Sequence, residues 1–200
     1  MGYSGARVGP TEETVSASED AELLKRIAAR DRAAFEVLYE RHAPRVFRFV
    51  FRMVRDEGRA EEVTNDAMVE VWKTAGRFAG RSAPSTWILG IARFRALNSL
   101  RGKSLPTREL SAAREVKSMD PRPDEVRETR ARNQRLRDAM EKLSPKHREV
   151  LELTFFEGCS YREISKIVEC PENTVKTRML HAKKQLRPLL IDAQVSEATA

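Results

Sequence analysis

The chain has 200 residues, with 37 lysines and arginines against 30 aspartates and glutamates, a formal charge of +7 and a pI near 9.7, a balance that suits a polyanionic partner, nucleic acid foremost. Aromatic residues make up 6% and charged residues 34%, and no β-branched alternating run is present, so the pattern argues against strands and for an all-α protein. The most apolar stretch, residues 46–54, is broken by Arg48 and Arg52, far short of the ~20 apolar residues of a membrane span, and the N-terminus lacks a signal-peptide core, so no membrane insertion and a cytoplasmic location are expected.

Residues 1–15, rich in Gly, Ser, Thr and Glu, have no periodic apolar face and are expected to form a disordered leader. Order is expected from Ser16, whose spacing to Glu19 matches a capping box ahead of Leu23, Leu24, Ile27 and Ala28. Asp31 can cap a segment burying Phe35, Leu38 and Tyr39. Pro44 suits the first turn of a further helix, with Val46, Phe47, Val50, Phe51 and Val54 inward. Helices over residues 57–73 and 84–101 complete a module spanning 16–101.

Within residues 60–72, Ala60, Val63, Ala67 and Val71 share one face at helical spacing. Glu62, Asn65, Asp66 and Val69 lie on the others, and Met68 and Trp72 are expected at the surface beside them. In a basic protein such an acidic face suits a protein partner, with a plain solvated helix as the alternative. The loop at 79–85 and the helix after it combine Arg81, Ser82, Ser85, Arg93, Arg95, Asn98 and Arg101 with Trp87, Ile88, Ile91 and Phe94. Cations that hold a phosphate backbone beside aromatics that take unstacked bases form the combination used on single strands. An amphipathic core helix with Trp87 buried is the plain alternative.

From residue 102 to 131 the apolar pattern fails, and Pro106, Pro121 and Pro123 punctuate a mixed-charge stretch that is expected to be a flexible linker. Roughly 30 residues at up to ~3.3 Å each could reach about 100 Å. A second module is expected over 132–191. It would bury Leu136, Ala139, Met140 and Leu143, then start a helix at Ser144-Pro145 with Val150, Leu151, Thr154 and Phe155, and leave a disordered tail at 192–200.

Residues 160–186 read as a helix-turn-helix. Ser160 and Glu163 form a capping box, and Tyr161, Ile164, Ser165 and Val168 recur at helical spacing. Pro171 forces a break near Glu169-Cys170 and a restart. In the second helix Val175, Met179, Ala182 and Leu186 fall inward, leaving Asn173, Thr174, Lys176, Thr177, Arg178, His181 and Lys184 outside. Amides, hydroxyls and cations in that arrangement suit the major groove; an ordinary basic surface helix is the alternative. Cys159 and Cys170, the two cysteines, bracket one helix and read as small buried residues, with a redox pair as the other option. His42, His147 and His181 lack metal-ligand spacing. No nucleophile with a neighbouring base and no phosphate-cradling glycine loop is found, so neither an enzyme, a cofactor nor a small-molecule substrate is expected.

Together, AEEVTNDAMVEVW, the RF and small-residue loop, STWILGIAR and ALNSLR, followed after a gap by LSPKHREVLELTFFEGCSYREIS and NTVKTRM, resemble the extracytoplasmic-function sigma factors, the two-domain class of the bacterial sigma-70 superfamily. The resemblance covers almost the whole chain. It implies two small helical domains, region two and region four, joined by a linker threaded through RNA polymerase. It further implies that Glu62, Asn65, Asp66 and Trp72 dock on core RNA polymerase. The 79–85 loop with Arg81, Ser82 and Ser85 would read the minus-ten element of promoter DNA, and Arg93, Arg95, Asn98 and Arg101 would hold the opening junction. Asn173, Thr174, Lys176, Thr177, Arg178, His181 and Lys184 would read the minus-thirty-five element. The family also implies a cognate anti-sigma factor. Three positions depart from its pattern: Asn65 stands for a glutamine, Phe94 for an asparagine, and Glu169 for a glycine, whose loss predicts a first helix without a left-handed cap. A stand-alone helix-turn-helix regulator on duplex DNA is the rival reading, and a helical adaptor without DNA contact the second.

Overall fold

A computed structural model describes residues 12–101, 136 and 138–198, with side chains described over 16–101, 136 and 138–191. The expected linker and the first part of the expected leader lie outside the described residues. The chain divides into two compact units, one within residues 1–110 and the other within 111–200. Every regular element described is helical.

The first unit holds α1 (Glu12–Ala28), α2 (Arg32–Val54), α3 (Glu57–Thr74), a 3-10 turn (Ala75–Arg77) and α4 (Pro84–Arg101). α1 packs on the other three, and α2, α3 and α4 pack on one another. Leu24, Ile27, Leu38, Val46, Phe49, Val50, Met68, Val71, Ile88 and Leu89 are among the side chains they bury. Such burial contributes roughly 1.5–3 kcal/mol per large aliphatic or aromatic side chain before entropy is counted.

Two helix junctions follow one device. Arg30 (φ 68°) and Arg55 (φ 55°) turn the chain left-handed after α1 and α2, and the next residue is the N-cap of the following helix. Asp31 accepts from the Ala34 N–H at 3.1 Å, and Asp56 from the Arg59 N–H at 2.7 Å. The Ala34 amide and the Arg26 guanidinium hold the Asp31 carboxyl below its usual value. A non-glycine residue in that backbone region costs about 1–2 kcal/mol, which the cap, at about 1 kcal/mol, partly offsets.

Several expectations need correction. α1 begins at Glu12, so residues 12–15 are its first turn and Ser16 lies inside the helix; no capping box starts there. Pro44 does not open a helix but sits inside α2. Its exposed ring faces solvent, while Leu38, His42, Ala43, Val46, Phe49 and Val50 are buried on both sides of it; burial of that continuous face outweighs the ~3 kcal/mol local penalty. Phe49 therefore enters the core, and Phe47 and Phe51 stack on each other half-buried, 6.0 Å apart. Met68, expected at the surface, is 1% exposed.

One polar cluster lies in this core. Asp20 on α1 is buried against α2, with the His42 Nε2 at 2.7 Å from its Oδ2 and the Arg41 guanidinium on its Oδ1. Burial pushes the Asp20 carboxyl up, but the His42 hydrogen bond and the His42 and Arg41 charges outweigh it and hold the group below its usual range.

In the second unit residues 138–141 are helical, and Ala139, Met140 and Leu143 are buried. Arg148 donates to the carbonyls of Met140 (3.0 Å), Glu141 (2.8 Å) and Leu143 (3.4 Å), closing the end of that helical segment. Ser144 caps α5 (Pro145–Phe155), with Pro145 in its first turn. α6 (Tyr161–Ile167) starts at the Ser160–Glu163 capping box. Residues 168–171 turn the chain, and α7 (Glu172–Ala198) follows. Both α5 and α6 pack against α7. Glu169 takes φ 53°, so the left-handed turn forms although the glycine is missing. α7 also runs past 191, the expected end of the module; Pro188 lies within it on an exposed side, and its backbone stays helical to Ala198.

Candidate nucleic-acid and protein interfaces

The α6–α7 pair has the geometry of a helix-turn-helix. Ile164, Ile167 and Val168 of the first segment and Val175, Met179 and Ala182 of the second are buried. This fixes which side of α7 turns outward. Asn173, Lys176, Thr177, His181 and Lys184 are exposed, and Thr174 and Arg178 half-buried. Lys176 Nζ pairs with Glu172 Oε1 at 2.8 Å, an exposed i,i+4 contact worth a few tenths of a kcal/mol, so the lysine can exchange it for a phosphate. The Thr177 hydroxyl donates to the Asn173 carbonyl at 2.9 Å, leaving its oxygen able to accept.

His181 stacks on His147 of α5, ring centroids 6.1 Å apart and planes 16° from parallel, while His147 Nδ1 lies 3.0 Å from Gln185 Oε1. The start of α5 is thereby joined to the polar side of α7. The sequence reading missed His147, because nothing in a one-dimensional pattern brings residue 147 to residue 181.

On α3, Glu62, Asn65 and Asp66 are exposed, and Val69 is 45% exposed among them. The Asn65 amide oxygen accepts from the Tyr39 hydroxyl of α2 at 2.9 Å. Trp72 is half-buried: Phe35 meets it edge-on with centroids 5.3 Å apart, and Arg30 sits over its ring at 5.7 Å. The face combines carboxylates, an oriented amide and a braced indole, a mixture suited to a protein surface carrying cations.

The loop after the 3-10 turn places Gly80 at φ +68°, a backbone conformation that favours glycine. Arg81 is exposed, and Ser82 and Ser85 are half-buried. Trp87, expected buried, is half-buried with its ring 5.4 Å from that of Phe78. Along α4, Asn98 and Arg101 are exposed and Arg93 is half-buried. Arg95 is turned toward α3, where its guanidinium pairs with Glu70. The seven residues expected to act together are therefore divided: Asn98 and Arg101 share one outward side of α4, and Arg95 spans two helices. Among the described residues, no group of three or more His, Cys, Asp or Glu is placed to hold a metal ion, and no helix is long and apolar enough to cross a membrane.

Comparison with known proteins bears on both units. The sigma-70 region 2 family matches residues 38–105, and the sigma-70 region 4 family matches residues 133–186. An ECF RNA polymerase sigma factor, SigK of Mycobacterium sp. (strain JLS), is 33% identical over 176 residues, which is 84% of this chain and 89% of that protein. Among solved structures, CnrH in complex with the cytosolic domain of CnrY shares the fold at a TM-score of 0.65 and 20% identity, over 87% of this chain and 98% of that one. The sigma factor RpoE in complex with the anti-sigma factor NepR, from Bartonella quintana, shares it at 0.59 and 22%, over 78% and 96%.

Proposed function

The chain belongs to the extracytoplasmic-function sigma factors of the sigma-70 superfamily, and on that premise we propose how its residues divide the work of starting transcription. As an RNA polymerase sigma factor it binds core polymerase and directs promoter recognition. In our reading Glu62, Asn65, Asp66 and Trp72 dock on the polymerase. Arg81, Ser82 and Ser85 receive a base of the minus-ten element, and Arg93, Asn98 and Arg101 hold the strand junction, with Arg95 bracing α4 against α3. Asn173, Thr174, Lys176, Thr177, Arg178, His181 and Lys184 read the minus-thirty-five element. The domain limits we propose are 16–101 for region two and 132–191 for region four.

The observation that carries this division is the separation of chemistries over the surface. The outward side of α7 is amide, hydroxyl and cation around an apolar spot at Leu180, whereas the outward side of α3 is mainly carboxylate and amide with an apolar spot at Val69, so the two faces differ in charge. The first suits a duplex and repels nothing there; the second would be repelled by phosphate and needs a basic protein. The protein bonds nothing itself, so its work is binding energy spent on opening DNA, at a few kcal/mol for an extruded base. We propose that it acts in the cytoplasm, is not an enzyme, and is held inactive by an anti-sigma factor, the kind of partner seen with RpoE from Bartonella quintana.

The test is in vitro transcription with sigma-free core polymerase and fragmented DNA from the source genome, followed by mapping of transcript starts. Starts sharing two upstream elements are expected. Tight duplex binding by the protein alone, with no specific starts, would replace this reading with a stand-alone regulator.

A further inference from the structure

Two histidines meet across two helices of the second unit. The exposed imidazole of His181 on α7 lies nearly parallel to that of half-buried His147 on α5, with centroids 6.1 Å apart. Gln185, one turn beyond His181, holds its amide oxygen 3.0 Å from His147 Nδ1. An amide oxygen only accepts, so Nδ1 carries a hydrogen and Nε2 of His147 is the nitrogen open to a further proton. At about 100° per residue, Thr177, Arg178, Lys184 and Gln185 lie within about 60° of His181 around α7. His147 therefore reaches the side of α7 proposed to meet the duplex, from a helix outside the helix-turn-helix.

The charges around the pair are unbalanced. Lys142, at the end of the helical segment before α5, and Lys184 line one open cleft with Ser144, His181 and Gln185. On α5, Lys146 precedes His147 and Arg148 is committed to backbone carbonyls, while Glu149 and Glu152 point at least about 140° away around the helix. On α7, Glu172 lies about 180° from His181 and pairs with Lys176. α6 adds Arg162 and Lys166, and its Glu163 closes the capping box at Ser160. Asp138 and Glu141, before α5, have interactions of their own. Over α5 and residues 172–191 of α7, no carboxylate shares the side of the helix that carries the pair. A proton on it finds its counter-charge in a phosphate of bound DNA, through a charge-assisted hydrogen bond.

Resting on the sigma-factor reading, we infer that the His147–His181 pair, carrying one proton, grips a backbone phosphate beside the minus-thirty-five element, so that promoter affinity rises as the pH falls. Histidine is the side chain that changes charge between about pH 5 and 8, so the dependence falls in the range a cell can visit. The proton comes from solvent. The stacked neighbour, Lys142 and Lys184 disfavour a second one, and a single proton limits the dependence to about tenfold per pH unit.

The test uses holoenzyme assembled from the full chain and core RNA polymerase, on the promoter located by transcript mapping. The probe is a fluorescein-labelled duplex carrying its minus-thirty-five element, titrated at constant ionic strength between about pH 6 and pH 7.5. Parent holoenzyme is expected to bind roughly 3- to 10-fold more tightly at the acid end, as uptake of one imidazole proton requires. His147→Gln, which keeps a hydrogen-bonding side chain without a titrating group, is expected to flatten the profile, and His181→Gln to do the same. His147→Lys, charged at every pH, is expected to bind at the alkaline end about as tightly as the parent does at the acid end. Replacing the backbone phosphates one at a time by uncharged methylphosphonates should abolish the dependence at a single position. The inference is overturned if the parent profile is flat, if folded His147→Gln keeps the parent profile, if no single methylphosphonate removes it, or if the pH effect lies in core-polymerase affinity. Failure of the sigma-factor reading would be separate and earlier, because the parent protein would then give no promoter-specific transcripts.

Discussion

The Tyr39 hydroxyl on α2 donates a 2.9 Å hydrogen bond to the Asn65 side chain on α3, so an amide proposed to dock on polymerase is oriented by a neighbouring helix. An exposed neutral bond of this kind contributes about 1 kcal/mol or less to stability. Tyr39→Phe is therefore expected to leave the melting temperature nearly unchanged while lowering core-polymerase affinity severalfold in a fluorescence-anisotropy titration. Adding it to Asn65→Ala should lower affinity no further. Fully additive losses would show that the two side chains act separately.

The Glu70–Arg95 pair joins α3 to α4 at a partly exposed site. Solvent screening limits it to about 1 kcal/mol of coupling in a double-mutant cycle on urea unfolding. Charge reversal, Glu70→Arg with Arg95→Glu, is expected to recover most of the stability that either single change removes. Arg95→Ala should also impair promoter opening less than Arg101→Ala. The opposite order would mean that the guanidinium leaves Glu70 for DNA.

Asp20 sets an acid limit on the first unit. Folding holds its carboxyl below the ordinary value of 3.8, so the ionised form is bound more tightly in the native state. That stability is present above about pH 4 and is lost as the pH falls through the folded-state value. Asp20→Asn leaves Arg41 and His42 without their carboxylate and is expected to cost about 3 kcal/mol near pH 7, and the gap from the parent should narrow toward pH 3. A gap of constant size across that range would exclude the carboxylate as its source.

Glu169 and Ser160 bound α6 from opposite ends and should respond in opposite directions. Glu169→Gly removes the cost of a left-handed side chain and is expected to stabilise by about 1 kcal/mol. Ser160→Ala breaks the capping box and should destabilise by about 1 kcal/mol. Chemical denaturation of the full chain, read on the transition of the second unit, checks both signs.

Lys176→Ala should weaken binding to every promoter and flatten the salt dependence by about one unit of slope if the lysine meets phosphate. Arg178→Ala should instead change which promoters are used, at ~1–3 kcal/mol, if it reads a base edge. Competition assays on the mapped promoters at two salt concentrations separate these roles.

Where periodicity and capping agree, the fold is legible in the chain. The expected helices at 57–73 and 84–101 match α3 and α4 to within a residue, and Ser144-Pro145 and Ser160–Glu163 form the caps they announce. The misreadings have local rules overridden by packing. Pro44 has the residue type of a helix start, but the apolar face runs through it from Leu38 to Val50. Arginine and glutamate at left-handed helix ends give no glycine signal, so Arg30, Arg55 and Glu169 were not readable as such. Met68 sits at the edge of the apolar arc of α3, and only the placement of neighbouring helices decides that it is covered. The outward residues of α7 follow from its buried ones. By contrast, the turn of Arg95 toward Glu70, the stacking of His181 on His147 and the exposure of Phe94 depend on contacts far apart in sequence or absent from it.

The buried contact between Asp20 and His42 also determines alignment. The apolar face of α1 could slide along the bundle by one turn, about 5.4 Å, and still bury leucine and isoleucine. Such a slide would strand the Asp20 carboxylate in an apolar surrounding away from its imidazole, at a cost of several kcal/mol. The oily residues supply adhesion without an address, and one carboxylate supplies the address: it leaves α1 a single register on the bundle.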